Sequence, residues 1–165
     1  HAIERDLFSA GKITAKTKKY AAGLVADVAK LVEVAKTLTF KPEDLANGAA
    51  SLLEEVQSNK ITGEEEAYSH LDLMDFANNL EGAQQAFAYL QPGLEQVDDA
   101  LVDQVAAEFT KVDAALDALR DDSALGGYLP WTKANRDRHS RELSQAVLSL
   151  QQPLAKIAEK VATAQ

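Results

Sequence analysis

Apolar residues recur along most of this chain at the spacing of helices that each bury one side. Leu24, Val25, Val28, Leu31, Val32, Ala35 and Leu38 follow the i, i+3, i+4, i+7 rule. The stretch "TLTFKPED" breaks that pattern. Pro42 there suits the first turn of a second helix, and Glu43 and Asp44 favour its positive end. This helix carries Leu45, Ala49, Leu52, Leu53 and Val56 and ends near "SNK". "ITGEEE" reads as a capping box, with Thr62 as N-cap and Glu65 at the third helical position. It predicts a long third helix striped by Leu73, Phe76, Ala77, Leu80, Ala83, Phe87 and Leu90, stopped by Gln91, Pro92 and Gly93. A fourth stripe is Val97, Leu101, Val105, Phe109, Val112, Leu116 and Leu119. "DDSALGGYLPWT" is a loop punctuated by Gly126, Gly127 and Pro130. A last helix runs from near Thr132 to the C-terminus, with Leu143, Val147, Leu150, Leu154, Ile157 and Val161 on its apolar side and a kink expected at Pro153.

No stretch alternates with period two for long enough to be a strand. The expected fold is therefore all-α, an antiparallel helical bundle of about five helices with short connections. A chain of 165 residues can bury a core and is expected to be one domain, 1–165.

Charge narrows the function. Asp and Glu (26) outnumber Lys and Arg (17), and a net charge of −9 repels nucleic acid and anionic lipid over most of the surface. The absence of cysteine excludes disulfides, thiolate zinc sites and cysteine nucleophiles. No apolar run approaches the ~20 residues of a membrane span.

Two constellations carry candidate chemistry. His1 and Glu4 in "HAIERDLF" stand one helical turn apart, and an imidazole beside a carboxylate suits iron, zinc or copper better than calcium. Such a pair also arises by composition alone. In "EEEAYSHLDLMDFANNLEGA" a continuous helix would set Tyr68, Asp72, Asp75 and Asn79 along one line and His70, Met74, Ala77 and Glu81 along another. His70, Asp72, Asp75 and Glu81 are thus candidates for a cleft or second site, with a solvated face as the plainer reading. Lys12, Lys16, Lys18 and Lys19 form a local basic cluster. Tyr128 and Trp131 would either stack on a sugar or plug the end of the bundle, the plug being favoured. No nucleophile elbow, glycine-rich phosphate loop or His-Glu-x-x-His motif is present, so a hydrolase has no apparatus here.

The segments "HAIERDLF", "GLVADVAKL" and above all "GAASLLEEVQSNKITGEEEAYSHLDLMDFANNLEGAQQAFAYLQPGL" resemble the imelysin-like domain of the EfeO and EfeM proteins of bacterial ferrous-iron uptake. The resemblance covers nearly the whole chain and is most specific between Gly48 and Leu94. It implies a double bundle of two related halves, of which this chain is expected to be the C-terminal part, without N-terminal helices that supply further acidic ligands. It implies a periplasmic protein in which His1 and Glu4 hold a divalent metal ion, iron first and zinc or copper as alternatives. A membrane iron permease and a periplasmic peroxidase-like protein are the implied partners. The family is grouped with peptidases by name, yet the implied role is a carrier and not an enzyme. A related member that binds alginate suggests the alternative of an acidic-polysaccharide module using the four lysines, Tyr128 and Trp131.

Overall fold

The computed structural model describes residues 1–163. Its regular elements are helices: a short α1 (Ala2–Glu4), α2 (Ala15–Ala35), α3 (Pro42–Glu55), α4 (Asp72–Asp117) and α5 (Lys133–Thr163). α1 and α3 each run on into a π-helical turn, Arg5–Ser9 and Val56–Lys60, closed by i→i+5 bonds such as Ile61 N–H to the Val56 carbonyl at 3.0 Å. The expected all-α class is what the chain adopts. Its residues form two compact units, one of 1–39 with 66–69, the other of 40–65 with the chain from His70 on.

The larger unit is a four-stave bundle of α3, the two halves of α4, and α5. α4 breaks at Asp98, whose φ of −158° and ψ of 78° are not helical. The Phe87 and Phe109 rings lie 5.7 Å apart, and Gln84 Nε2 donates to Asp113 at 2.8 Å. Partners on the two halves thus run in opposite order, and the halves form an antiparallel hairpin. α3 begins with Pro42 as expected, and the Lys41 N–H is met by the Asp44 carboxylate at 3.1 Å. At the other end of α3 the Gln57 amide donates to Ser144 of α5 at 3.1 Å.

Buried Leu53, Val56, Phe76, Leu80, Val105, Leu143, Leu150, Leu154 and Ile157 form the core, all drawn from the predicted stripes. Each such side chain contributes about 1.5–3 kcal/mol by leaving water.

Three expectations are corrected. The stop at Pro92 and Gly93 is not used: α4 passes through both and breaks only at Asp98. Proline inside a helix costs about 3 kcal/mol, but continuing the helix buries Leu94 completely. Asp98 then caps the second half, its Oδ1 accepting the Leu101 N–H at 3.1 Å.

The Thr62 capping box does not form either, and the long helix starts nine residues later than its N-cap position implied, at Asp72. Thr62 turns its hydroxyl back onto the carbonyls of Ser58 (3.1 Å) and Asn59 (2.9 Å). Gly63 follows with φ +71°, outside the right-handed helical region, and a Cβ there would lie 2.5 Å from the Arg136 guanidinium.

The third correction concerns α2. Thr14 and Thr17 form a reciprocal cap at its start. Its apolar stripe, however, is exposed: Leu24, Val25, Val28, Leu31 and Val32 all face solvent. The periodicity identified the helix but not a neighbour to bury it.

Candidate metal centre

His1 caps α1 and Glu4 ends it, so the two side chains lie on one face a single turn apart. His1 Nδ1 is 3.2 Å from Glu4 Oε2. With a proton on Nδ1 this is a hydrogen bond to a carboxylate. Without one, two lone-pair donors face each other at that distance. Donors about 2.1 Å from one shared ion, subtending about 100° at it, have this separation, so the pair fits a small divalent cation. The His1 side chain is 69% exposed and that of Glu4 12%, which leaves the imidazole open to an arriving ion while the carboxylate is sheltered.

The shelter is built by the connection between α3 and α4. Glu4 Oε1 accepts the N–H of Tyr68 at 2.7 Å, the N–H of Ser69 at 2.8 Å and the Ser69 hydroxyl at 3.1 Å. Ser69 Oγ is also bonded to Glu66. Partial burial pushes the Glu4 carboxyl up, but the Ser69 and Tyr68 amides and the Ser69 hydroxyl outweigh it and hold the group below its ordinary value. Glu4 is therefore held as an anion. Nearby, Asp6 accepts the Thr17 hydroxyl at 2.5 Å and an Arg5 N–H at 3.0 Å, which ties the first turn to the start of α2.

The other sequence candidates do not converge. Because α4 begins at Asp72, His70 is off the helix altogether, with a left-handed φ of +59°. Its carbonyl accepts the Trp131 N–H at 2.8 Å, and its Nδ1 is buried with no hydrogen-bond partner. Asp72 is fully buried in the first turn of α4, where the helix dipole favours a negative charge. Asp75 turns to Lys60 Nζ at 3.3 Å. Glu81 is exposed and lines a groove of about 450 Å³ with Gln84, Asp113, Asp117 and Arg120. Among the described residues no three His, Cys, Asp or Glu side chains are grouped to hold a metal ion. His1 and Glu4 are thus two ligands of an incomplete shell, to be filled by water or by further protein groups.

Two features escaped the sequence reading. One is the seat made by Tyr68 and Ser69, two of its three donors backbone N–H groups, which no residue pattern encodes. The other is Lys60, which is buried and bonded to Glu65 as well as Asp75. Glu65 therefore serves an internal cation rather than a helix N-terminus.

Trp131 is fully buried and its Nε1 donates to the Ile61 carbonyl at 3.1 Å, so it is the plug and offers no face to a sugar. Tyr128 is buried too, with the Arg120 guanidinium 4.8 Å from its ring centre. Lys12, Lys16, Lys18 and Lys19 are exposed, Lys16 lying 5.5 Å from the Tyr20 ring centre. No helix among the described residues is long and apolar enough to cross a membrane.

Compared with known proteins, residues 1–157 match the family described as imelysin, peptidase family M75 in its naming. An Efem/EfeO family lipoprotein of Staphylococcus haemolyticus is 41% identical over 158 residues, covering 96% of this chain and 54% of that protein. A protein of the same description from Staphylococcus aureus strain MSSA476 is 40% identical over 158 residues, with 96% and 55% covered. The chain spans about half the length of the curated relatives it matches.

Proposed function

The chain belongs to the imelysin family, and from that premise we propose that it is the metal-binding part of a bacterial ferrous-iron uptake protein of the EfeO/EfeM type. The observation that carries the proposal is the His1–Glu4 pair, a nitrogen and an oxygen donor 3.2 Å apart with the carboxylate held ionised. Iron is the cargo in this reading. Zinc and copper fit the same donors, and copper and zinc bind most nitrogen/oxygen sites more tightly than ferrous iron does. Selectivity then rests on metal supply and on the remaining ligands.

The role is that of a carrier and not an enzyme. An exposed imidazole and one presented carboxylate oxygen bind an ion while leaving positions open for its transfer. The implied partners are a membrane iron permease and a peroxidase-like protein of the same system. The relatives are named lipoproteins, which supports an exported protein held at the outer face of the cytoplasmic membrane, periplasmic where an outer membrane encloses that space. The rival polysaccharide reading loses its aromatic platform, because Tyr128 and Trp131 are buried.

The test is an anaerobic calorimetric titration with ferrous iron and with zinc. It compares the chain with a variant carrying His1→Ala and Glu4→Ala, both extended by residues ahead of His1 so that the terminal amine cannot chelate. Saturable binding that vanishes in the double variant supports the proposal. It should weaken on acidification, because protons compete for both ligands. Equal binding by both proteins removes the pair as a metal site.

A further inference from the structure

The Glu4 carboxylate is gripped on one oxygen and presented on the other. Oε1 receives two successive peptide N–H groups and a hydroxyl, all within 3.1 Å. The two peptide donors take up the two lone pairs of that oxygen and leave none directed at a cation. Oε2 has no part in this grip and faces His1 Nδ1. Two successive peptide N–H groups pointing at one oxygen form a nest of the kind that binds external anions. Here the chain fills the nest with its own carboxylate, from a residue 64 and 65 positions away.

We infer that Ser69, together with the Tyr68 and Ser69 amides, positions Glu4 so that it meets a metal ion through Oε2 alone, beside the His1 imidazole. The inference rests on the metal-binding reading of His1 and Glu4 above. A carboxylate free to rotate would offer both oxygens to the ion and occupy two of its positions. Gripped as it is, Glu4 occupies one and leaves the others for ligands that can be exchanged. Ser69 supplies the only side-chain donor of the seat among the described residues, its single hydroxyl proton lying between Glu4 and Glu66. Hydrogen-bond partners of metal ligands typically change metal affinity 10–100-fold when removed.

The experiment has a metal-free arm and a metal arm, both on the full chain extended ahead of His1. In the first, amide hydrogen exchange is read at Tyr68 and Ser69 in the unaltered chain and in Glu4→Ala. Protection that is lost on substitution is expected; no protection in the unaltered chain, or no change, overturns the seat whatever the metal does. In the second, zinc affinity and the visible absorption of the cobalt(II) complex are measured for the unaltered chain, Ser69→Ala and Ser69→Thr. The expected result is about tenfold weaker zinc binding and an altered cobalt spectrum in Ser69→Ala, both largely restored by Ser69→Thr. Unchanged affinity and spectrum in Ser69→Ala overturn the positioning role while leaving the metal site standing. Absence of metal binding by the unaltered chain removes the metal-binding reading and this role with it, even with the seat present. A drop in melting temperature with affinity and spectrum intact marks Ser69 as structural and likewise overturns it.

Discussion

The indole Nε1 of Trp131 donates to the carbonyl of Ile61 across 3.1 Å in the interior of the bundle, joining the loop before α5 to the end of α3. Trp131→Phe keeps most of the apolar bulk but strands that carbonyl, and should lower stability by about 1–3 kcal/mol. Trp131→Ala adds a cavity and should lower it by about 3–5 kcal/mol. Urea unfolding followed by far-UV circular dichroism measures both, since the chain has one tryptophan and the variants lose its fluorescence. A Phe variant as stable as the parent would show that the bond contributes nothing.

Asp98 joins the break in α4 to α5. Its Oδ2 lies 2.7 Å from Lys160 Nζ and its Oδ1 caps Leu101. The Lys160 bond and the Leu101 amide hold the Asp98 carboxyl below its ordinary value. The stabilisation from its charge is thus present above about pH 3.9, the value of an unfolded aspartate, and is lost as pH falls through the lower folded value. Melting temperatures at neutral pH should rank parent, Asp98→Asn, Asp98→Ala, because Asn keeps the cap and loses the ion pair. The gap between parent and Asn variant should close in acid; a gap that persists there contradicts the assignment.

Lys60 is the buried cation of the bundle. Burial pulls its ammonium down, but the bonds and charges of Glu65 and Asp75 outweigh that and hold it above the ordinary lysine value. Lys60→Met should destabilise the protein by about 2 kcal/mol, less than for a fully buried pair because both carboxylates reach solvent. For a group raised on folding, the stabilisation is complete below the unfolded value, about 10.4, and lost as pH rises through the folded one. Denaturant midpoints should therefore show a constant difference across neutral pH that shrinks only in strong alkali. A difference that already falls between neutrality and mild alkalinity would count against the assignment.

The exposed face of α2 makes an opposite prediction to the core. Val28→Asp with Leu31→Asp should change the unfolding free energy of the bundle by no more than about 0.5 kcal/mol. Leu53→Ala, at a fully buried position, should lower it by about 2–5 kcal/mol. Comparable losses in the two variants would mean that α2 is buried in solution.

What the sequence determined by itself was the identity of the helices and most of the core. Periodicity is a property of neighbouring residues, so the stripes through Leu53, Phe76, Val105, Phe109 and Leu150 were legible and are buried. The local end signal of Pro42 with Asp44, which needs only the adjacent turn, was legible in the same way. His1 and Glu4 meet because they lie one turn apart on a single helix.

Tertiary structure decided the rest. Whether Pro92 ends a helix depended on the burial of Leu94 beyond it. Whether Thr62 starts one depended on Arg136, seventy-odd positions away, occupying the space beside Gly63, and on Lys60 claiming Glu65. His70 and Glu81 share a line only if one helix runs through both, and α4 begins at Asp72. The seat of Glu4 is made of peptide N–H groups that every residue but proline possesses, and what selects Tyr68 and Ser69 is where the chain turns. A helix can be read from local spacing, whereas a partner for a buried charge, a bare stripe or a carboxylate oxygen is chosen by distance in space, which local spacing does not contain.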